Sequence, residues 1–175
     1  PPPPPPPRIE CRRQRQMCIR DSYDAGKVRK VFGLEPSEGM RASARPRIDA
    51  STIDVELIDL PGEEIPLDDK SVDSLLVTNT LCTIPDSVKA LRGMRRVLKP
   101  RGHLFICEHG KAPDAAVHKW QQRANPLWRR FAGGCHMDRD IPTLLRDGGF
   151  SIEDDNRMYI PGLRVLSYNY WGAAR

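Results

Sequence analysis

Short strands that alternate with helices are what the hydrophobic positions of this chain predict. Apolar residues at positions three and four apart predict helices that begin after Ser37, at Pro85 and at Ile141. Runs rich in β-branched residues predict six strands, at residues 28–34, 53–58, 72–78, 103–107, 151–158 and 165–172. This alternation indicates an α/β fold with a mostly parallel sheet, and the last two strands indicate an antiparallel pair near the C-terminus.

Two prolines are expected to interrupt helices. Pro46 should end or bend the first helix, because proline lacks the backbone N–H that a helix interior uses. Asn125 and Pro126 should divide the stretch from Trp120 to His136 into two short helices, with Asn125 as the cap of the second.

Residues 1–22 differ in composition from the rest of the chain. A run of seven prolines predicts polyproline II, and the MCIRDS string that follows resembles a translated adapter left by library preparation. We expect residues 1–22 to be disordered or artefactual and residues 23–175 to form one partial domain. A ligand for a proline-recognition domain or a basic tail is the alternative for the first segment.

The formal charge of +5 comes from the beginning of the chain. Residues 1–30 hold 8 Lys and Arg against 3 Asp and Glu, while residues 31–175 hold 20 of each. A neutral globular part argues against nucleic-acid binding through phosphate contacts. Five cysteines without a CxxC pair favour a reducing, cytoplasmic compartment, and no apolar run approaches the ~20 residues that span a bilayer.

Several longer segments resemble one enzyme family in order and spacing. The segments VFGLEPSEGM, LPGEEIPLDDKSVDSLLVTNTLCTIPD, ALRGMRRVLKPRGHLFICEHG and LLRDGGF are similar to class I S-adenosylmethionine-dependent methyltransferases of the ubiquinone and menaquinone type. LCTIPD, CEHG and NPLWRRFAGGCH together look closest to the alkyl-thiol methyltransferase branch. The resemblance covers about residues 28–175 and implies a Rossmann-like fold, S-adenosylmethionine as cofactor and a small, apolar acceptor.

The resemblance also implies cofactor-binding residues. Glu35, between a strand and a helix, would accept hydrogen bonds from the ribose hydroxyls. The alternative is that Glu35 only interacts with the dipole at the start of the helix. Gly62 and Glu63 would meet the adenine, unless they form a solvated acidic turn. The methionine part of the cofactor would contact the end of the third predicted strand, at Asn79, Thr80 and Leu81.

Acceptor chemistry is expected at the end of the fourth predicted strand and beyond it. Glu108 and His109 are the candidate catalytic residues, since a histidine there could take a proton from the acceptor; a hydrogen-bonded structural histidine is the alternative. The aromatic residues in the stretch from Trp120 to His136 could form one face that covers an apolar acceptor, touches a membrane surface or packs in the core. The candidate acceptor-binding residues are Trp120, Trp128 and His136. No metal site is predicted from ligand spacing, and Cys82 is interpreted as a small buried hydrophobe.

One family feature has no counterpart in this sequence. No glycine-rich loop of the E/D-x-G-x-G-x-G kind precedes Val31, so the expected sheet lacks its first strand and that loop. The main hypothesis is methyl transfer to an S, O, N or C nucleophile. Under this hypothesis the chain is either active itself or an inactive fragment of the enzyme. The alternative is a non-catalytic Rossmann-like binding module. Neither the acceptor nor an oligomeric state follows from the sequence.

Overall fold

The computed structural model describes residues 23–24 and 26–175. The expectations for residues 1–22 therefore lie outside the described residues. The chain divides into two compact units, with the boundary between Asp59 and Leu60.

The first unit contains a parallel strand pair joined by a helix. Strand β1 (Lys30–Leu34), helix α1 (Glu38–Asp49) and strand β2 (Asp54–Ile58) follow one another, and β1 pairs with β2 in parallel register. The Ser37 hydroxyl caps α1 by accepting the Met40 N–H. The helix runs three residues beyond the exposed Pro46, so the expectation that Pro46 ends it was wrong. Proline in the last turn removes one hydrogen bond but leaves the rest of the helix intact.

The second unit contains a four-stranded sheet in the order β3-β4-β6-β5. Its strands are β3 (Val72–Thr78), β4 (Leu98–His109), β5 (Ile152–Tyr159) and β6 (Tyr168–Ala174). β3 and β4 are parallel, whereas β6 runs antiparallel to both β4 and β5. The expected α/β fold with an antiparallel strand near the C-terminus is confirmed.

Three helices belong to the second unit: α2 (Ser87–Val97), α3 (Ala115–Phe131) and α4 (Ile141–Asp147). Leu91, Met94 and Val97 follow helical spacing and are buried. Together with α4 and the sheet, α2 encloses the main apolar cluster, whose largest fully buried members include Leu81, Leu91, Leu98, Leu104, Ile141 and Leu145.

Helix α3 is continuous through Pro126, which contradicts the expected division into two short helices. Asn125 is not a cap. It is buried, its Oδ1 accepts the Met137 N–H at 3.1 Å, and its Nδ2 donates to Asp138 at 2.7 Å. Pro126 lies on the exposed side of the helix, where water can bond the carbonyl that its missing N–H leaves unpaired.

A buried glutamine on α3 connects three separate loops. Gln121 is fully buried, and its Oε1 accepts the Ala112 N–H at 2.9 Å. Its Nε2 donates to the carbonyls of Gly110, Met137 and Val165 at 2.9 to 3.0 Å. Gln121 therefore fixes the loop after β4, the loop after α3 and the approach to β6 with one side chain.

We expect Gln121→Met to lower the free energy of unfolding by about 2–4 kcal/mol, because it leaves several buried backbone groups without partners. Urea denaturation would measure the change. Gln122→Met is the matched control, since Gln122 is exposed on the same helix and should change stability by less than about 0.5 kcal/mol. Equal unfolding midpoints for the two variants would contradict this role of Gln121.

Candidate functional site

Two polar segments meet at the carboxyl edge of the parallel pair β3 and β4. Thr78 ends β3 and lies opposite Cys107 in the register, so residues 79–82 and 108–110 leave the sheet side by side. The Asn79 N–H donates to the Cys107 carbonyl at 2.9 Å and continues the ladder by one residue. Open α/β sheets bind their ligands at this edge.

Glu108 holds the turn after β3 in place. Its side chain is 0% exposed, and Oε1 accepts the N–H groups of Thr80 at 2.6 Å and Leu81 at 3.1 Å. Oε2 is buried and has no hydrogen-bond partner among the residues that the structure describes. Burial raises the pKa of Glu108 to about 7, although the backbone hydrogen bonds counteract part of that rise.

His109 lies between the turn and the loop that follows α3. Its Nδ1 is 3.3 Å from Asn79 Oδ1, and its Nε2 is 3.1 Å from Cys135 Sγ. Since the amide oxygen only accepts, Nδ1 donates to Asn79. Asn79 itself has a left-handed backbone with φ of 48°. Strained residues of this kind often occur at functional sites.

Backbone contacts bring the loop after α3 against the same turn. The His136 N–H donates to the Cys82 carbonyl at 2.8 Å, and the Arg139 guanidinium contacts the Leu81 carbonyl and the Ser87 hydroxyl. As a result the ligand atoms of Cys82, His109 and Cys135 all lie within 4.8 Å of one another. Cys82 and Cys135 are both buried, free thiols.

The cluster shifts the pKa values of its two thiols in opposite directions. The pKa of Cys82 is raised by its contact with Cys135, by burial and by the Glu108 charge. The hydrogen bond from Cys82, together with the contact to His109, lowers the pKa of Cys135. Burial lowers the pKa of His109, but Cys135 and Glu108 outweigh it and raise that pKa above its ordinary value. Negative charge is therefore favoured on the Cys135 sulfur.

The residues expected to contact adenine and ribose have local partners of their own. Glu35, in the first unit, accepts the Ser37 N–H at 2.9 Å next to the start of α1. Gly62 packs against Ile84, whose Cδ1 would lie 2.7 Å from an added Cβ. Glu63 accepts the Asp86 N–H at 3.2 Å. Their cofactor-binding roles stay predictions.

The aromatic face expected on α3 is largely exposed. Trp120 is 62% exposed and Phe131 is 82% exposed, so the alternative of core packing does not hold for either. Trp128 is half-buried, and its Nε1 is buried without a hydrogen-bond partner in the described part of the chain. Trp128 and His136 thus lie near the cluster of Cys82, His109 and Cys135. Trp120 is exposed to solvent. None of the helices among residues 26–175 has the length and apolar character that crossing a bilayer requires.

The sequence profile described as "Methyltransferase domain" matches residues 19–106, which is just over half of the chain. The chain belongs to the methyltransferase domain family. That match includes β3 and the turn that follows it, and it ends within β4, before Glu108 and His109.

The names of curated relatives of this methyltransferase domain refer to different methyl acceptors. Human thiol S-methyltransferase TMT1B is 37% identical over 93 residues, covering 52% of this chain and 38% of that protein. Demethylmenaquinone methyltransferase from Listeria monocytogenes is 36% identical over 100 residues, covering 57% of this chain and 41% of that protein. The chain thus spans about two fifths of the length of these relatives.

Solved structures agree on the fold. A SAM-dependent methyltransferase from Methanosarcina mazei aligns with a TM-score of 0.67 and 16% identity, covering 86% of this chain and 83% of that one. The methyltransferase CalH, crystallised with SAH, aligns with a TM-score of 0.57 and 23% identity, covering 82% of this chain and 42% of that one. The methyltransferase domain therefore has the Rossmann-like fold that its sequence predicts.

Sequence analysis missed the grouping of Cys82 and Cys135 with His109. These residues are 27 and 26 positions apart along the chain, so no short motif joins them. The signal that could have found them is topological, since Cys82 follows β3 and His109 ends the neighbouring strand β4. Arg139, which binds the turn from the loop after α3, gave no local signal.

We expect Glu108→Leu to accelerate hydrogen exchange at the Thr80 and Leu81 amides by at least about tenfold, because both lose a hydrogen bond to a charged acceptor. Glu108→Gln retains an acceptor oxygen and should keep exchange within about threefold of the parent chain. NMR-detected exchange would test this, with the Leu145 amide of α4 as internal reference. Equal protection in both variants would show that Glu108 does not hold the turn.

Proposed function

We propose that this chain's methyltransferase domain transfers a methyl group from S-adenosylmethionine to a small, apolar acceptor. The observation that carries the proposal is the turn at residues 79–82, which Glu108 fixes at the carboxyl edge of β3 in a chain of this family. A rigid turn at that edge suits a ligand that must be held in one orientation.

The proposed cofactor-binding residues are those expected from the sequence, one in the first unit and the others in the second. Asn79, Thr80 and Leu81 contact the methionine part, and Glu35 binds the ribose hydroxyls. Gly62 and Glu63 lie along the adenine. The names of the relatives and the SAH bound to CalH support S-adenosylmethionine as the donor.

The chemistry makes modest demands on the protein. The acceptor's lone pair attacks the methyl carbon, that carbon's bond to the sulfonium sulfur breaks, and its electron pair stays on the sulfur of S-adenosylhomocysteine. Because the sulfonium is already a good leaving group, positioning and exclusion of water supply most of the rate enhancement. No covalent intermediate with the protein is required.

The acceptor is proposed to bind beside Glu108, His109, Trp128 and His136. Of the acceptors that the relatives' names imply, a thiol fits this region best, because it is apolar and becomes strongly nucleophilic when its proton is lost. The exposed Trp120 and Phe131 offer apolar surface to such a molecule.

Glu35→Gln tests the cofactor site. Glutamine keeps an oxygen for the Ser37 N–H but loses the charge that strengthens hydrogen bonds to the ribose hydroxyls, so we expect S-adenosylmethionine affinity to fall by about tenfold. Glu38→Gln is the matched control, since Glu38 lies exposed in the first turn of α1 and should leave affinity unchanged. Calorimetric titration of the 175-residue chain would measure both; equal affinities would remove Glu35 from the site.

Methyl transfer is tested separately with labelled S-adenosylmethionine and three acceptors of similar size: an alkyl thiol, a hydroquinone and an alkyl amine. Labelled thioether is the expected product. Cofactor binding without any labelled product would favour the non-catalytic binding module, and absence of binding would overturn the proposed function of this chain.

A further inference from the structure

Two thiols and an imidazole converge in a largely buried position at the carboxyl edge of β3 and β4. The sulfurs of Cys82 and Cys135 and a ring nitrogen of His109 lie within 4.8 Å of one another, and His109 Nε2 is already 3.1 Å from Cys135 Sγ. Ligand atoms around a tetrahedral zinc ion lie roughly 3.3–3.8 Å apart. Small side-chain rotations therefore suffice to reach that geometry.

The second nitrogen of His109 is held in the way that metal-bound histidines are held. With Nδ1 donating to Asn79 Oδ1 at 3.3 Å, Nε2 is the nitrogen that faces Cys135, and a cation that displaced its proton would find its lone pair there. A hydrogen bond of this kind selects the tautomer and orients the ring of a histidine ligand. The left-handed backbone of Asn79 places the acceptor there.

Charge around the cluster also favours a divalent cation. Glu108 is fully buried one residue from His109 with an unpartnered Oε2, and it acts electrostatically on Cys82. Arg139 interacts with both thiols and with Glu108. Two thiolate ligands together carry the charge that offsets a cation of charge +2.

We propose that Cys82, His109 and Cys135 bind a thiophilic divalent cation, Zn²⁺ in the first instance, with an open fourth position that takes the thiolate of an acceptor. Three protein ligands with one open position are typical of catalytic rather than structural zinc. The assignment of the fourth position rests on the proposed function, whereas the cation site stands on its own geometry.

The open position would make the acceptor thiol reactive. Coordination releases the thiol proton to solvent and keeps the sulfur as a thiolate at neutral pH. A sulfur lone pair then forms the new bond to the methyl carbon, the carbon–sulfonium bond breaks, and S-adenosylhomocysteine keeps that electron pair. The thioether product has lost its negative charge, binds zinc weakly and leaves.

Metal content and a cobalt titration of the full 175-residue chain test the cation site. We expect about one zinc ion per chain after reduction and dialysis. Co²⁺ should give thiolate-to-metal charge-transfer absorption together with the intense visible bands of tetrahedral cobalt. Cys82→Ser, His109→Gln and Cys135→Ser should each weaken zinc binding by at least about 100-fold.

His103→Gln is the matched control, since His103 lies on β4 outside the cluster and should leave zinc affinity unchanged. Far-ultraviolet circular dichroism verifies that every variant is folded. A parent chain that binds neither metal overturns the site, as does a Cys82–Cys135 disulfide that persists under reductant. Equal losses in control and cluster variants would also overturn it.

The open position is tested without any methyl transfer. Adding a small alkyl thiol to the cobalt-loaded chain should intensify the charge-transfer band, while a phenol of similar size should not. Unchanged spectra with the thiol would overturn the fourth-position assignment. Because S-adenosylmethionine is absent from this titration, its failure is distinguishable from failure of the proposed function.

Discussion

A buried carboxylate organises the region around the candidate site. Glu108 is completely enclosed, so its charge can be tolerated only where hydrogen-bond donors compensate for lost hydration. The Thr80 and Leu81 amides supply two of them, and these amides would otherwise be unpaired after β3 ends. The polar groups of the strand end and of the carboxylate therefore satisfy each other, and the turn has little freedom to adopt another shape.

The rest of the site depends on that turn. With Thr80 and Leu81 fixed, the carbonyls of Leu81 and Cys82 point to Arg139 and His136, which hold the loop after α3. Cys135 belongs to this loop and reaches His109 for that reason. On the far side of the loop, Gln121 and Asn125 bond Met137 through its carbonyl and its N–H. Two buried polar networks thus position one short loop from opposite ends.

The sequence predicted the elements whose signal is local. The apolar spacing of α2 and the apolar run of β3 lie within single segments, so their positions were predicted to within about two residues. Helix α3 was predicted wrongly, because the local cost of Pro126 is outweighed by the long-range hydrogen bonds of Gln121 and Asn125. Such bonds leave no periodic pattern.

Among site residues, the same distinction applies. Glu108 and His109 stand out because a polar pair ends an apolar strand, and their position at the sheet edge follows from the alternation of strands and helices. The thiols do not stand out, since a single buried cysteine is an ordinary core residue. Only the approach of the loop after α3 to the end of β3 makes Cys82 and Cys135 neighbours, and that approach is a property of the tertiary fold.

The position of the thiols also bears on what His109 can do. The sequence suggests a general base, whereas the cluster suggests a ligand, and both roles use the lone pair on Nε2, since Nδ1 donates to Asn79. One nitrogen cannot serve both roles at once. A metal-bound thiolate removes the conflict, because the acceptor loses its proton on coordination and methyl transfer then needs no separate base. The two sulfurs that converge with Nε2 therefore favour the ligand role, in which His109 would act on the acceptor through the cation.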